Sequence, residues 1–512
     1  MLKNIRIILP LFFFCFCSYA LAADSPSEQE QSVSLSGRYK DYNVILIILD
    51  AVRYDHLSCY GYAKETSPNI DYLAKNGVIF TNAFSQSHNT LSGVASIFSS
   101  LYPSSHGMEH IYKDKFPDNV HTLAEILNIY GYETAWLGNM DDYHTSMAEN
   151  LLKGFNKKYS LNHTCVQISN IIKKYQDKHF FITFHSYLTH QFGIVGRSKI
   201  LSERLKSYYA ETWKEAYYTY KNDPEKFHKL FGKDWCVENA EYFALPYSEE
   251  NFYKVQQSLD SAIKKDFFIQ RIKFSQINSF LSALNNEDVL TLLSLLDAAI
   301  SEVDKNLIGG LITVLKETKL YDKTIIIITA DHGDEYLEHG HVGHGAFLYD
   351  ETIRTPLLFY IPFLLNKDAK IDGLVQNIDI LPTVLELLNI PAPYNAQGIS
   401  LVGQIEGKSG ANTNGYIFAK TIPGSLAIRS KQYKLIQHNA KNGSFFYELY
   451  NLQRDPLEKN NLIGTESGIA DILKEQLRTK FISLPKYNKK NNEFIPEIDP
   501  QVRERIKKTG YW

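Results

Sequence analysis

Unbroken apolar runs organise the hydrophobic pattern of this chain. Val44 to Leu49 and Thr324 to Thr329 lack polar alternation, as expected of parallel strands covered on both faces. Each run ends on chemistry: Asp50 follows the first, Asp331 and His332 the second. Glu133 to Leu137 and Phe180 to Phe184 predict further strands, the latter leading to His185 and His190, and His121 to Tyr130 predicts a helix. The alternation predicts an α/β fold with a mainly parallel, doubly wound sheet and helices on both faces. Such sheets bind ligands beyond the carboxyl ends of their strands.

The rhythm breaks from residue 193 to 290, rich in Lys, Tyr, Phe and Glu with helical spacing around Ser202 to Tyr220, and predicts a helical insertion or lid. Beyond residue 392, Tyr416 to Ala419, Leu426 to Arg429, Tyr433 to Gln437 and Phe445 to Tyr450 predict a small C-terminal antiparallel subdomain ending near 483, followed by a Lys- and Asn-rich tail, 484–512. The catalytic domain is placed at 41–391, after a Ser-, Glu- and Gln-rich linker, 23–40. Residues 1–22 read as a signal peptide: Lys3 and Arg6, an apolar run from Ile7 to Cys17, then Ala20-Leu21-Ala22. That run is shorter than the roughly 20 residues of a membrane span. Cleavage near Ala22 and export to the periplasm or beyond are expected, with no stable transmembrane insertion.

Composition changes this picture little. A net charge of −3 over 512 residues gives no basic excess to hold nucleic acid. With the leader removed, Cys59, Cys165 and Cys236 remain, an odd number that rules out a disulfide framework. A Cys165–Cys236 bridge and buried free thiols both stay open.

Asp50, Asp331 and His332 supply two hard oxygen donors and one imidazole, each after a buried strand, which suits a divalent cation. His339-Gly340-His341 also invites a metal reading, but no further spaced ligand accompanies it, and it is read as the flank of the active-site loop. Arg53 is read as bracing the loop after Asp50, and His106 and Cys59 as core or turn residues.

A series of motifs sharpens these expectations: Leu49-Asp50-Ala51-Val52-Arg53-Tyr54-Asp55, Cys59-Tyr60-Gly61, Ser67-Pro68-Asn69-Ile70-Asp71, Tyr102-Pro103, Thr329-Ala330-Asp331-His332-Gly333-Asp334, Arg354-Thr355-Pro356 and Asp379-Ile380-Leu381-Pro382-Thr383. Over residues 42 to 463 the chain resembles the sulfatases of the alkaline-phosphatase superfamily, which implies an alkaline-phosphatase/sulfatase-like fold and hydrolysis of an ester bond. Sulfatases carry a cysteine, matured to formylglycine, in a Cys-x-Pro-x-Arg motif. Counting back from Tyr102-Pro103 puts Thr90 at that position, with Ser92 and Val94 where the proline and arginine belong. The family's two anion-contacting lysines correspond to Asn139 and His344, and Leu49 replaces the first of the usual paired aspartates.

A threonine nucleophile is similar to that of phosphoethanolamine transferases and lipoteichoic acid synthases. The resemblance therefore implies one divalent metal ion (Ca, Mn, Zn or Mg) on Asp50, Thr90, Asp331 and His332, with Thr90 as the attacking hydroxyl. His190 and His344 are the candidates for proton transfer, and Asn139, His185 and His341 for contact with the substrate. The leading expectation is hydrolysis of a phosphate ester through a covalent Thr90 intermediate. Transfer of a phospho-group between lipid or glycan alcohols, hydrolysis of a sulfate ester, and an inactive binding protein on the same fold are the alternatives.

Overall fold

The computed structural model describes residues 34–108, 115–138, 150–190, 222, 284–344, 347–408, 411, 413–421, 424–439 and 444–487. The expected leader, Asn139, Cys236, nearly all of the predicted insertion and the tail beyond 487 lie outside the described residues.

The predicted apolar strands form the centre of one sheet. Its strands are β1 (Asn43–Leu49), β2 (Val78–Phe84), β3 (Glu133–Gly138), β4 (Lys157–Ser160), β5 (Phe180–Ser186) and β6 (Thr324–Thr329). After a small hairpin of β7 (Glu335–Tyr336) and β8 (Val342–Gly343), the short β9 (Arg354–Thr355), β10 (Leu357–Tyr360) and β11 (Ala369–Gln376) complete it. The order is β11-β2-β10-β6-β1-β5-β3-β4, with β9 beside β2. β1 lies parallel between β5 and β6, and β10 runs against both β6 and β2. The sheet is thus mainly parallel, as the unbroken apolar runs predicted.

Side-chain alternation along β1 explains why those runs are apolar throughout. Val44, Leu46 and Ile48 enter one core with Leu91, Val94 and Phe98 of the helix Thr90–Ser99 and with Leu123, Leu127, Val384 and Leu385. Ile45, Ile47 and Leu49 enter the opposite core with Leu73, Ile168, Ile172, Leu292, Leu296 and Leu311. Helices cover both faces, so neither set of alternate positions tolerates a polar residue.

The second sheet is an antiparallel meander, β12 (Ile417–Lys420), β13 (Leu426–Arg429), β14 (Tyr433–Asn439) and β15 (Phe445–Asn451). The helix Ser467–Ser483 covers it through Ala470, Leu473 and Leu477. Buried Lys434 of β14 binds Asp350 and Glu458, each at 2.8 Å, tying this sheet to the segment beside the central strands. The helix Asn286–Val303 begins inside the stretch read as the insertion, under a capping box made by Asn285 and Asp288. Cys165 carries a free thiol that donates to the carbonyl of Asn306.

Candidate active site

The sheet register brings the distant sequence candidates together. Leu49 lies opposite Ser186 of β5, and Ile48 opposite Thr329 of β6. Asp50, His185 and Asp331 therefore emerge at the carboxyl edge of three adjacent strands. All three are buried, with one ligand atom from each within 4.8 Å of the others. His185 Nε2 stands 3.3 Å from Asp50 Oδ2 and 4.0 Å from Asp331 Oδ2. Sequence reasoning gave His185 to the substrate; the fold sets its ring beside the two aspartates.

The turn after β1 is shaped by Ala51, whose φ of 57° is left-handed, a conformation costing a non-glycine residue about 1–2 kcal/mol. Its N–H donates to Asp331 Oδ1 at 3.2 Å, and the N–H of His332 donates to the same oxygen at 3.0 Å. Asp331 Oδ2 is buried and accepts no hydrogen bond. A bare buried carboxylate oxygen is costly unless a cation meets it. His332 donates Nδ1–H to the Gly333 carbonyl at 2.8 Å, which leaves the Nε2 lone pair facing the site. Nε2 lies 3.2 Å from Thr90 Oγ1, 3.6 Å from Asp331 Oδ2 and 3.9 Å from Asp50 Oδ1. The oxygen and nitrogen donors present thus fit a divalent cation.

Thr90 is the first residue of its helix, capped by Asn89, whose side chain accepts the Ser92 N–H at 3.1 Å. A helix N-terminus favours negative charge, so an anion at Thr90 is stabilised even with Val94 in place of an arginine. Gly93 permits the approach of this helix: a Cβ there would sit 2.6 Å from the Asp331 carbonyl oxygen. Neither Asn89 nor Gly93 was singled out in the sequence, because their roles depend on what packs against them.

A second group of histidines lies beside His332. His344 pairs through Nδ1 with buried Asp334 Oδ1 at 2.6 Å, and its ring centroid lies 4.2 Å from that of His332 and 5.1 Å from that of His190. His190 is buried, stacked on Tyr187 at 4.5 Å, and held well below the usual imidazole range by burial and by His344, His332 and His185. It is therefore neutral near pH 7. Asp334 was quoted only as part of a motif, and its tie to His344 ten residues on is a product of the fold. His341 stands apart, exposed and against Phe347 at 4.5 Å.

Two residues read as structural have structural partners. Arg53 binds Asp55 at 2.7 Å and also Glu338, bracing the loop. His106 is buried with Ser96 and Met108.

A family model described as Sulfatase matches residues 42–390. The chain belongs to the Sulfatase family. A second model of this group, the C-terminal region of N-sulphoglucosamine sulphohydrolase, matches residues 338–486. The chain is 24% identical to a Delta 4,5-hexuronate-2-O-sulfatase of Bacteroides thetaiotaomicron, over 82% of this chain and 84% of that protein. It is 25% identical to an arylsulfatase of Clostridium perfringens, over 83% and 90%. Among solved structures, a phosphonate monoester hydrolase of Agrobacterium radiobacter shares the fold with a TM-score of 0.59 and 18% identity, over 86% and 96%. Sulfatase-family membership makes this chain an ester-hydrolysing enzyme and puts a metal among its expected requirements.

Proposed function

We propose that this sulfatase-family enzyme hydrolyses a phosphate ester through Thr90. The observation that carries this reading is the Thr90 hydroxyl 3.2 Å from His332 Nε2, at a helix N-terminus and beside two buried aspartates. Asp50, Thr90, Asp331 and His332, with His185 against both carboxylates, would hold one divalent cation. That cation would supply Lewis acidity, lowering the pKa of the Thr90 hydroxyl and drawing charge from the ester.

The chain's own groups then divide the work. Thr90 Oγ1, its hydroxyl proton released to solvent, attacks the tetrahedral centre and the bond to the leaving alcohol breaks, giving a covalent Thr90 ester. His344, its Nδ1 held by Asp334, presents Nε2 and passes a proton to the departing oxygen. Neutral His190 donates a hydrogen bond to the ester without adding charge. Water then attacks the central atom, giving a proton back to His344, and the bond to Thr90 Oγ1 breaks to release the acid and restore Thr90. Threonine favours phosphorus over sulfur in this scheme. A formylglycine hydrate has a second hydroxyl that can expel sulfate by C–O cleavage, whereas a Thr ester must be broken by attack on the central atom.

Sulfate-ester hydrolysis is the second reading, because the named relatives include sulfatases of a hexuronate and of aryl esters. The substrate alcohol is then a lipid or a glycan, the latter in keeping with the hexuronate-acting relative. We also propose export before function, from the features of residues 1–22; no helix among the described residues is long and apolar enough to cross a membrane.

Intact-mass spectrometry and peptide mapping after brief incubation with an aryl phosphate, an aryl phosphodiester or an aryl sulfate test the scheme. A phosphoryl adduct on Thr90, lost in Thr90→Ala with several powers of ten in rate, is expected. A sulfuryl adduct promotes the second reading, and an adduct on Ser87 or Ser92 removes Thr90 from its role.

A further inference from the structure

The loop following Asp331-His332 carries a second group of donors that the reaction does not use. Glu335 in β7, His339 in the turn after it and Glu351 in the helix Asp350–Ile353 each offer one ligand atom, all within 4.8 Å of one another. Glu335 is 1% exposed, and its Oε2 is buried without a hydrogen bond. His339 is fixed by donating Nε2–H to the Glu458 carbonyl at 3.0 Å, which leaves Nδ1 against Glu351 Oε1. Metal-binding histidines are usually anchored in this way, with the second ring N–H donated to a carbonyl.

We propose that Glu335, His339 and Glu351 form a second divalent-cation site, of the zinc class, that braces the β7–β8 hairpin. Two carboxylates balance the charge of one such ion, and an imidazole with two carboxylates and water is an ordinary zinc shell. Nearby cations among the described residues have partners outside the cluster: Arg53 pairs with Asp55 and Glu338, Lys434 with Asp350 and Glu458, and Lys459 donates to the Glu338 carbonyl. Glu335 lies opposite Gly343 of β8, and the next residue is His344. An ion here would fix the hairpin that delivers His344 to the active site while leaving Asp50, Thr90, Asp331 and His332 untouched.

The competing occupant is a proton. Burial, followed by Glu351, Glu338 and Asp334, pushes the Glu335 carboxyl up to about 8. A protonated Glu335 and a protonated His339 on Glu351 would also satisfy the cluster, and the two states differ in a measurable way. Gln is the neutral isostere of a protonated Glu, so the proton alternative makes Glu335→Gln silent.

The test is zinc content in the full-length chain, stripped with a chelator, reloaded with Zn(II), desalted and measured by elemental mass spectrometry. Asp331→Asn, which weakens the active-site set, is expected to keep one zinc per chain. Glu335→Gln added to it is expected to lose that zinc, and with it a chelator-sensitive shift in Tm of several degrees. Equal zinc with and without Glu335→Gln overturns the proposal, as does an Asp331→Asn protein that binds none. Should the double variant not fold, X-ray absorption at the zinc edge of Asp331→Asn decides. One imidazole in an oxygen-rich shell is expected, whereas two place the ion with His332 and either His185 or His344 and refute the second site.

Discussion

Gly93 and Asp331 are in backbone contact: the helix that begins at Thr90 approaches the end of β6 so closely that a single added methyl at Gly93 would meet the Asp331 carbonyl oxygen at 2.6 Å and its Cβ at 3.3 Å. This contact sets the separation between the hydroxyl and the carboxylate proposed to share a cation. Gly93→Ala should therefore push the helix outward. Overpacking of this kind costs about 1–3 kcal/mol, and a displacement near 1 Å in an active site costs on the order of 100-fold in rate. A thermal melt and initial rates check both, and a variant with wild-type kcat would show that the helix position is not limiting.

Asp331→Asn tests the proposed cation at the centre of the active site. Two backbone N–H groups already satisfy Oδ1, so the substitution chiefly removes the charge borne by the unpaired Oδ2. Metal affinity and turnover should fall together, the rate by at least about 100-fold if Lewis acidity contributes several kcal/mol. Titration of activity against added Mn(II) or Zn(II) gives the affinity directly. Full activity at unchanged metal affinity would remove Asp331 from the ligand set.

Asp334 should act through His344. Replacing it with Asn keeps the size and removes the charge beside Nδ1 at 2.6 Å, so the ring loses its fixed tautomer. The expected signature is a drop in kcat of roughly 10–100-fold with KM little changed, largest for esters with poor leaving groups, which most need a proton. Aryl esters of graded leaving-group pKa provide the measurement. An equal loss across the series would mean that Asp334 only maintains the fold.

His106 predicts an acid-sensitive term in stability. Burial pushes this imidazole down to about 3 from an ordinary 6.5, and its Nδ1 accepts the Met108 N–H while Nε2 faces Ser96. The folded state thus binds the proton less readily than the unfolded chain. The stabilisation is complete above pH 6.5 and is lost progressively as pH falls from 6.5 toward 3. At 1.36 kcal/mol per pH unit, going from 6.5 to 5 costs about 2 kcal/mol. Denaturant melts at pH 7 and pH 5 should show a smaller difference in His106→Gln than in the wild type, even if the variant is weaker at both. An unchanged difference would place the acid sensitivity elsewhere.

By itself the sequence determined the central strands, the class of fold and most of the residues at its ligand edge. β6 spans the residues predicted for it, and β13 likewise; in β6 the four isoleucines between the terminal threonines are buried on both faces, so that constraint is written locally. Asp50, Asp331 and His332 were legible for the same reason, as polar residues that directly end such runs. Thr90 was legible only through spacing in a family motif. Tertiary structure decided the rest. β2 and β11 lacked so unbroken an apolar signal, β10 is apolar but only four residues long, and the position of His185 beside two aspartates depends on β5 and β6 both flanking β1. His339 looked unsupported along the chain, since one of its companions, Glu351, lies twelve residues away and meets it only when the helix Asp350–Ile353 folds back over the β7–β8 hairpin. Local hydrophobicity encodes which residues are buried; which buried polar groups face one another is fixed by strand order and packing, and no stretch of sequence carries that alone.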